Sequence, residues 1–323
     1  MATESSGQPP VGSAAASASG PDLGAELAPR RVSRCEVVDL RGLRCNVRHW
    51  GDPAAPALFM LHGWMDASAT FQFVVDALQV EWHVIAPDWR GYGASDYLQR
   101  PYWFPEYYAD LDVLLDRYSP AAPANLVGHS MGGAIASIYA AARPQRVNAL
   151  AMLDFLGLKA STPDEAPDKI GDWLSAVNGD PAEHRLRGYR DAEALARRLQ
   201  QANPRLRADR ADFLAQHTAR RRSDGLIELA CDPWHKIASP FPYRVDEVLA
   251  CWRQVSAPVL MVIAEHGYVE QRFGQDAPEL ARRLACFAEL ETVRIGDAGH
   301  NLQHDQPAAV AAAIERFFLP RRA

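Results

Sequence analysis

Residues 125–142 read Asn-Leu-Val-Gly-His-Ser-Met-Gly-Gly-Ala-Ile-Ala-Ser-Ile-Tyr-Ala-Ala-Ala. The apolar run 125–128 predicts a buried strand, and the apolar positions three or four apart over 131–142 predict a helix with one face on a sheet. Between them Ser130 stands in Gly128-His-Ser-Met-Gly132, a tight strand-to-helix turn. A serine there has little room, so glycine two positions to either side lets backbone pass closely and pushes the hydroxyl into the open. The start of the helix also directs the backbone N–H of Met131 toward a developing negative charge. Ser130 is thus a candidate nucleophile and Met131 a candidate oxyanion donor. The plainer alternative makes Ser130 an unreactive helix N-cap.

The same alternation continues outward. Continuous apolar runs at 57–61, 83–87, 149–153, 259–263 and 290–295 read as strands, and amphipathic stretches at 68–78, 105–118, 278–287 and 307–318 read as helices between them. The expected class is α/β, a mostly parallel sheet with helices on both faces. Two partly alternating runs around the Arg41-Gly42 turn predict an edge hairpin. From 155 to 249 the pattern gives way to Arg-rich helical stretches broken by Pro163, Pro167, Pro181, Pro204 and Pro240. This segment is expected to be a helical cap inserted into a core of residues 29–154 and 250–323. The Arg220-Arg-Arg run within it reads as a solvated helix surface. Residues 1–28, rich in Ala, Ser, Gly and Pro, read as a disordered leader.

Composition narrows the function classes. With 48% hydrophobic and 23% charged residues and a net charge of -6, the 323-residue chain has no electrostatic case for nucleic acid. A small-molecule substrate is the expected partner. Five cysteines, an odd number without CxxC or metal-ligand spacing, suggest reduced thiols and no metal. No apolar run approaches the roughly 20 residues of a membrane span, so no membrane partner and a cytoplasmic location are expected. Oligomeric state is not encoded in these features.

A nucleophile needs a base and an oxyanion site. Gly299-His300 follows the last predicted strand, which delivers His300 to the same end of the sheet as Ser130. His304, four residues on, competes for that role and reads better as a structural or rim residue. His62-Gly63-Trp64 follows the strand 57–61, and the backbone N–H of Trp64 is the candidate second oxyanion donor, with His62 packing the loop. Asp88, Arg90 and Ser95 read as turn-shaping residues, Asp88 and Arg90 being available as a local ion pair. Trp64, Phe155, Trp234, Phe241 and Tyr268 are expected near the mouth, Trp64, Phe155 and Tyr268 as substrate-binding residues, and favour a largely apolar substrate. The bland alternative for these aromatics is packing within the cap.

From about residue 34 to the C-terminus the chain resembles the α/β-hydrolase superfamily. His62-Gly-Trp, Asp88-Trp-Arg-Gly-Tyr-Gly-Ala-Ser95, Gly128-His-Ser-Met-Gly-Gly133 and Gly299-His300 occur in that family's order, and Ala264-Glu-His-Gly-Tyr268 is similar to the serine hydrolase-like proteins. The resemblance implies the fold, a cap over the site, a triad of serine, acid and histidine, and no cofactor. Many relatives carry the acid in the loop after the strand that is here 259–263, but Gly267 takes the expected position. The resemblance leaves two carboxyl groups: Asp154, at the end of the strand after the nucleophile helix, and Glu265 as the alternative acid. It implies hydrolysis of an ester-like bond through an acyl-enzyme on Ser130. Carbon-carbon hydrolysis, or a non-catalytic binding protein that kept the fold, are the alternatives.

Overall fold

The computed structural model describes residues 29–321, so the expected leader at 1–28 lies outside the described residues. Strands β1 (Arg34–Leu40) and β2 (Leu43–Trp50) pair antiparallel as the expected hairpin. Arg41 and Gly42 both have positive φ, which matches the right-handed twist of the flanking strands. Then come β3 (Ala57–Leu61), β4 (His83–Pro87), β5 (Ala124–His129) and β6 (Val147–Leu153). The short strands β7 (Ala219–Arg221) and β8 (Ile227–Leu229) pair only with each other, and β9 (Val259–His266) and β10 (Leu290–Gly299) complete the main sheet. Its order is β1-β2-β4-β3-β5-β6-β9-β10, and every pair from β4 to β10 is parallel.

Alternation along the strands sorts their side chains to two faces. Phe59, Leu61, Leu126, Leu150, Met152, Met261 and Ile263 pack on one face with α2 (Pro105–Tyr118) and α3 (Met131–Ala142). Leu58, Met60, Val127, Ala151, Leu153, Leu260 and Val262 pack on the other, against α1 (Gln72–Ala77) and the C-terminal helix α11 (Pro307–Phe318). The helix expected over 68–78 opens with a 3-10 turn at Ser68–Phe71, and α1 ends at Ala77.

Between β6 and β9 the chain leaves the sheet for α4 (Ala166–Asn178), α5 (Ala192–Ala202) and α6 (Ala208–His217), then β7 and β8, then α7 (Val245–Trp252). Leu195, Leu206, Phe213 and Leu214 bury themselves against Ala69 and Phe73, seating the segment over the turn that follows β3. Helix α7 straddles residue 249, the expected end of the insertion, and its Val245, Leu249 and Trp252 already lie in the core beside α3. Arg220-Arg-Arg is not a helix surface. It begins on β7, where Arg220 bonds the buried Glu228 at 2.7 Å and lies 4.3 Å over the Tyr97 ring. The short helices α8 (Tyr268–Phe273), α9 (Ala277–Leu284) and α10 (Leu302–Asp305) complete the chain. No helix among the described residues is long and apolar enough to cross a membrane.

Candidate active site

The turns at the C-terminal ends of β3, β5, β6, β9 and β10 share one edge of the sheet, where open α/β sheets place their ligands. Ser130 ends β5 with φ 51° and ψ -114°, a left-handed backbone that a non-glycine residue adopts only under constraint. The constraint is packing. A Cβ on Gly132 would lie 2.0 Å from the Leu61 carbonyl oxygen, so α3 can start here only if that position is bare. Ser130 N–H is anchored to the Leu153 carbonyl at 3.1 Å, tying the turn to β6.

His300, at the end of β10, meets the turn from the opposite side. Its Nε2 lies 2.9 Å from Ser130 Oγ and its Nδ1 lies 2.8 Å from Asp154 Oδ2. Because the carboxyl oxygen accepts, Nδ1 carries the hydrogen and Nε2 is free to accept from the serine hydroxyl. Asp154 follows β6 at φ 50° and is fully buried. Its carboxyl accepts from the N–H groups of Ala264 (3.2 Å), Tyr268 (2.5 Å) and Val269 (3.4 Å) as well. A buried carboxyl needs such partners.

Gly267 explains the departure from the family pattern. A Cβ there would come within 2.3 Å of Asp154 Oδ2, so the volume that a side chain at 267 would use is filled by the Asp154 carboxyl. Glu265 does not enter the site. It rides on the exposed end of β9, accepts from Asp297 N–H at 2.8 Å and faces His266 at 3.7 Å.

Of the other expected residues, the turn 62–64 and the Tyr268 ring, with Phe155 stacked on it, stand beside this trio. The turn 62–64 runs beside Ser130, since a Cβ at Gly63 would be 3.2 Å from Ser130 Cβ. His62 is a packing residue: Nδ1 donates to Gly63 O at 2.8 Å, Nε2 accepts from Trp89 N–H at 3.0 Å, and burial holds its pKa down at about 4. The Trp64 side chain is half exposed, its indole N–H directed at the His235 carbonyl at 3.4 Å. Phe155 stacks with Tyr268 at 6.5 Å, and the Tyr268 ring lies 5.8 Å from that of His300. Phe241 is exposed, and Trp234 lies in a 3-10 turn against His184. His304 is buried with Nε2 on Thr70 Oγ1, and burial drives its pKa down to about 3.

Asp88 and Arg90 do not pair. Asp88 accepts from Ser68 N–H (2.7 Å), Asn46 Nδ2 (2.8 Å) and Ala94 N–H (3.0 Å), and Arg90 reaches away to Asp110 at 2.6 Å and to Glu106. Both are buried, and each finds its counter-groups elsewhere, Arg90 on α2 and Asp88 on Asn46 and backbone N–H groups.

Two further residues belong to the neighbourhood. His129 is buried, with its pKa well below the ordinary histidine value because of that burial, and its Nε2 donates to the His300 carbonyl at 2.8 Å. Asp66, just beyond the 62–64 turn, is pushed up to about 7 by burial, with Oδ1 accepting from Ala67 N–H at 2.9 Å. The signal for His129 was its place beside Ser130. Nothing local distinguished Asp66.

Comparison with known proteins bears on the fold. The model of the alpha/beta hydrolase fold family matches residues 56–307. The serine hydrolase-like protein of Danio rerio is 28% identical over 292 residues, covering 84% of this chain and 84% of that protein. The 2-(acetamidomethylene)succinate hydrolase of Mesorhizobium japonicum is 27% identical over 297 residues, covering 92% of this chain and 99% of that protein. Among solved structures, the thioesterase domain from the curacin biosynthetic pathway superposes with a TM-score of 0.77 at 23% identity, covering 88% of this chain and 99% of that one.

Proposed function

Because the chain belongs to the alpha/beta hydrolase fold family, we propose that it is a serine hydrolase cleaving an ester-like bond of a small, largely apolar substrate. The observation that carries this reading is the continuous hydrogen-bonded line from Ser130 Oγ through His300 to Asp154, at 2.9 and 2.8 Å. His300 Nε2 takes the Ser130 proton as Oγ bonds the substrate carbonyl carbon. The resulting oxyanion is held by the backbone N–H groups of Met131 and Trp64. Collapse expels the alcohol, which receives the proton from His300. Water, deprotonated by the same imidazole, then attacks the acyl carbon, and the proton passes from His300 to Ser130 Oγ as the acid leaves. Asp154 keeps Nδ1 protonated throughout and stabilises the imidazolium. The inserted segment 155–249 acts as a cap, and the rings of Phe155, Tyr268 and Trp64 supply apolar contact to the acyl group.

A fluorophosphonate probe tests the reading. The wild type should be labelled at Ser130 and turn over short p-nitrophenyl esters, and Ser130→Ala should lose essentially all of both. An unlabelled wild type would instead favour a binding protein that kept the fold. Labelling without turnover of the esters would favour the carbon-carbon hydrolase alternative.

A further inference from the structure

The loop that carries His300 is gripped from the inserted segment. Asp305, buried on α10, uses both carboxyl oxygens across a boundary. Its Oδ2 accepts the N–H of Gly299, the residue before His300, at 2.8 Å, and its Oδ1 accepts from Asn203 Nδ2 at 2.7 Å. Asn203 caps the C-terminus of α5, and its own Oδ1 accepts from Arg205 N–H at 3.2 Å, which fixes the amide with Nδ2 toward Asp305. Arg210, on α6, adds Nη1 bonds to the carbonyls of His304 and Asp305 at 2.5 and 3.1 Å. Arg205 Nε meets Asp297 Oδ1 at 3.2 Å on the other side of the loop. From beneath, His129 holds the His300 carbonyl at 2.8 Å.

A turn cap would need only the Gly299 bond. The second oxygen, committed to Asn203, makes Asp305 a joint between insertion and base. Resting on the serine-hydrolase reading above, we propose that Asp305 is a positioning residue, through which Asn203 of the inserted segment holds the His300 loop at the height where its imidazole meets Ser130. Release of Asn203 lets the loop relax, and the base drifts from the nucleophile and from Asp154.

Three variants of the full chain test this: Asn203→Ala, Asp305→Ala and the exchanged pair Asn203→Asp with Asp305→Asn. In the exchanged pair the amide at 305 accepts from Gly299 N–H and donates to the carboxyl at 203, restoring both bonds in reversed sense. Asn203→Ala should lower kcat about tenfold, since small misplacements of a reacting group are costly. KM should stay within about twofold and the melting temperature near that of the wild type. Hydrogen–deuterium exchange over residues 299–305 should speed up, and the exchanged pair should recover to within about threefold of the wild type. Asp305→Ala should match or exceed the loss, and Asn203→Ala keeps the test intact if that variant does not fold. Unchanged kcat and exchange in Asn203→Ala would overturn the proposal, as would an exchanged pair no better than the worse single variant. A wild type inert to fluorophosphonate would sink the serine-hydrolase reading, while the exchange measurement would still decide whether Asn203 holds the loop.

Discussion

At Asp154 two demands meet on one carboxyl group. It has to hold the Nδ1 hydrogen of His300, and, being fully buried, it has to satisfy its remaining lone pairs, which the N–H groups of Ala264, Tyr268 and Val269 do. An amide of the same shape would turn an NH2 toward one of these donors or favour the other imidazole tautomer, leaving Nε2 unable to accept from Ser130. Asp154→Asn is therefore expected to cost about 10³–10⁴-fold in kcat, and Glu265→Gln to stay within about twofold. Steady-state kinetics on one p-nitrophenyl ester decides, and a larger loss at Glu265 would reverse the assignment. The placement of Ser130 and His300 at one sheet edge was legible because their turns carry local glycine signatures. Asp154 was legible only as one of two carboxyl groups, since the room for its carboxyl comes from the missing side chain at Gly267, a property of packed neighbours. Asn203 and Asp305 carried no signal, because their partnership spans 102 residues and needs the insertion already seated.

Among the elements, α2 is fastened to the turn after β4 by Arg90 and Asp110, whose side chains are 5% and 3% exposed. Arg90 donates through Nε and Nη2 to both Asp110 oxygens at 2.6 Å, the two-pronged geometry that guanidinium favours. Removing one partner strands a buried charge, so Asp110→Ala is expected to lower stability by about 3–5 kcal/mol. Urea unfolding measures it, and a change under about 1 kcal/mol would mean that Glu106 and water take up the guanidinium. The pair illustrates what the one-dimensional pattern can carry. The bounds of α2, α3 and α11 follow directly from apolar spacing and from Pro105 and Pro307 at their first turns. The β7–β8 pair escaped, since three residues per strand are too few to establish a period and β7 is mostly arginine. Helix α8 escaped too, being six residues long.

Taken whole, the molecule holds several of its imidazoles out of water. Burial holds His49 and His62 down at about 4, His235 and His304 at about 3, and His129 well below its ordinary value. An unfolded chain takes up these protons near pH ~6.5, before the folded one does. The stability they contribute is complete above ~6.5 and is lost as pH falls toward the folded values. Asp66, raised to about 7 by burial, works the other way, because the folded chain takes up its proton first. It offsets one of the five imidazoles, so thermal scans should show the melting temperature falling from about pH 6 to pH 4, beginning above the range where ordinary carboxyl groups titrate. A melting temperature still level at pH 5 would contradict this. The bare position at 267 carries a different kind of consequence, one for descent. The Asp154 carboxyl and a side chain at 267 claim the same volume, so both positions cannot be filled unless one of the two groups shifts. Moving the acid from one of these places to the other therefore asks for a coordinated change at both codons.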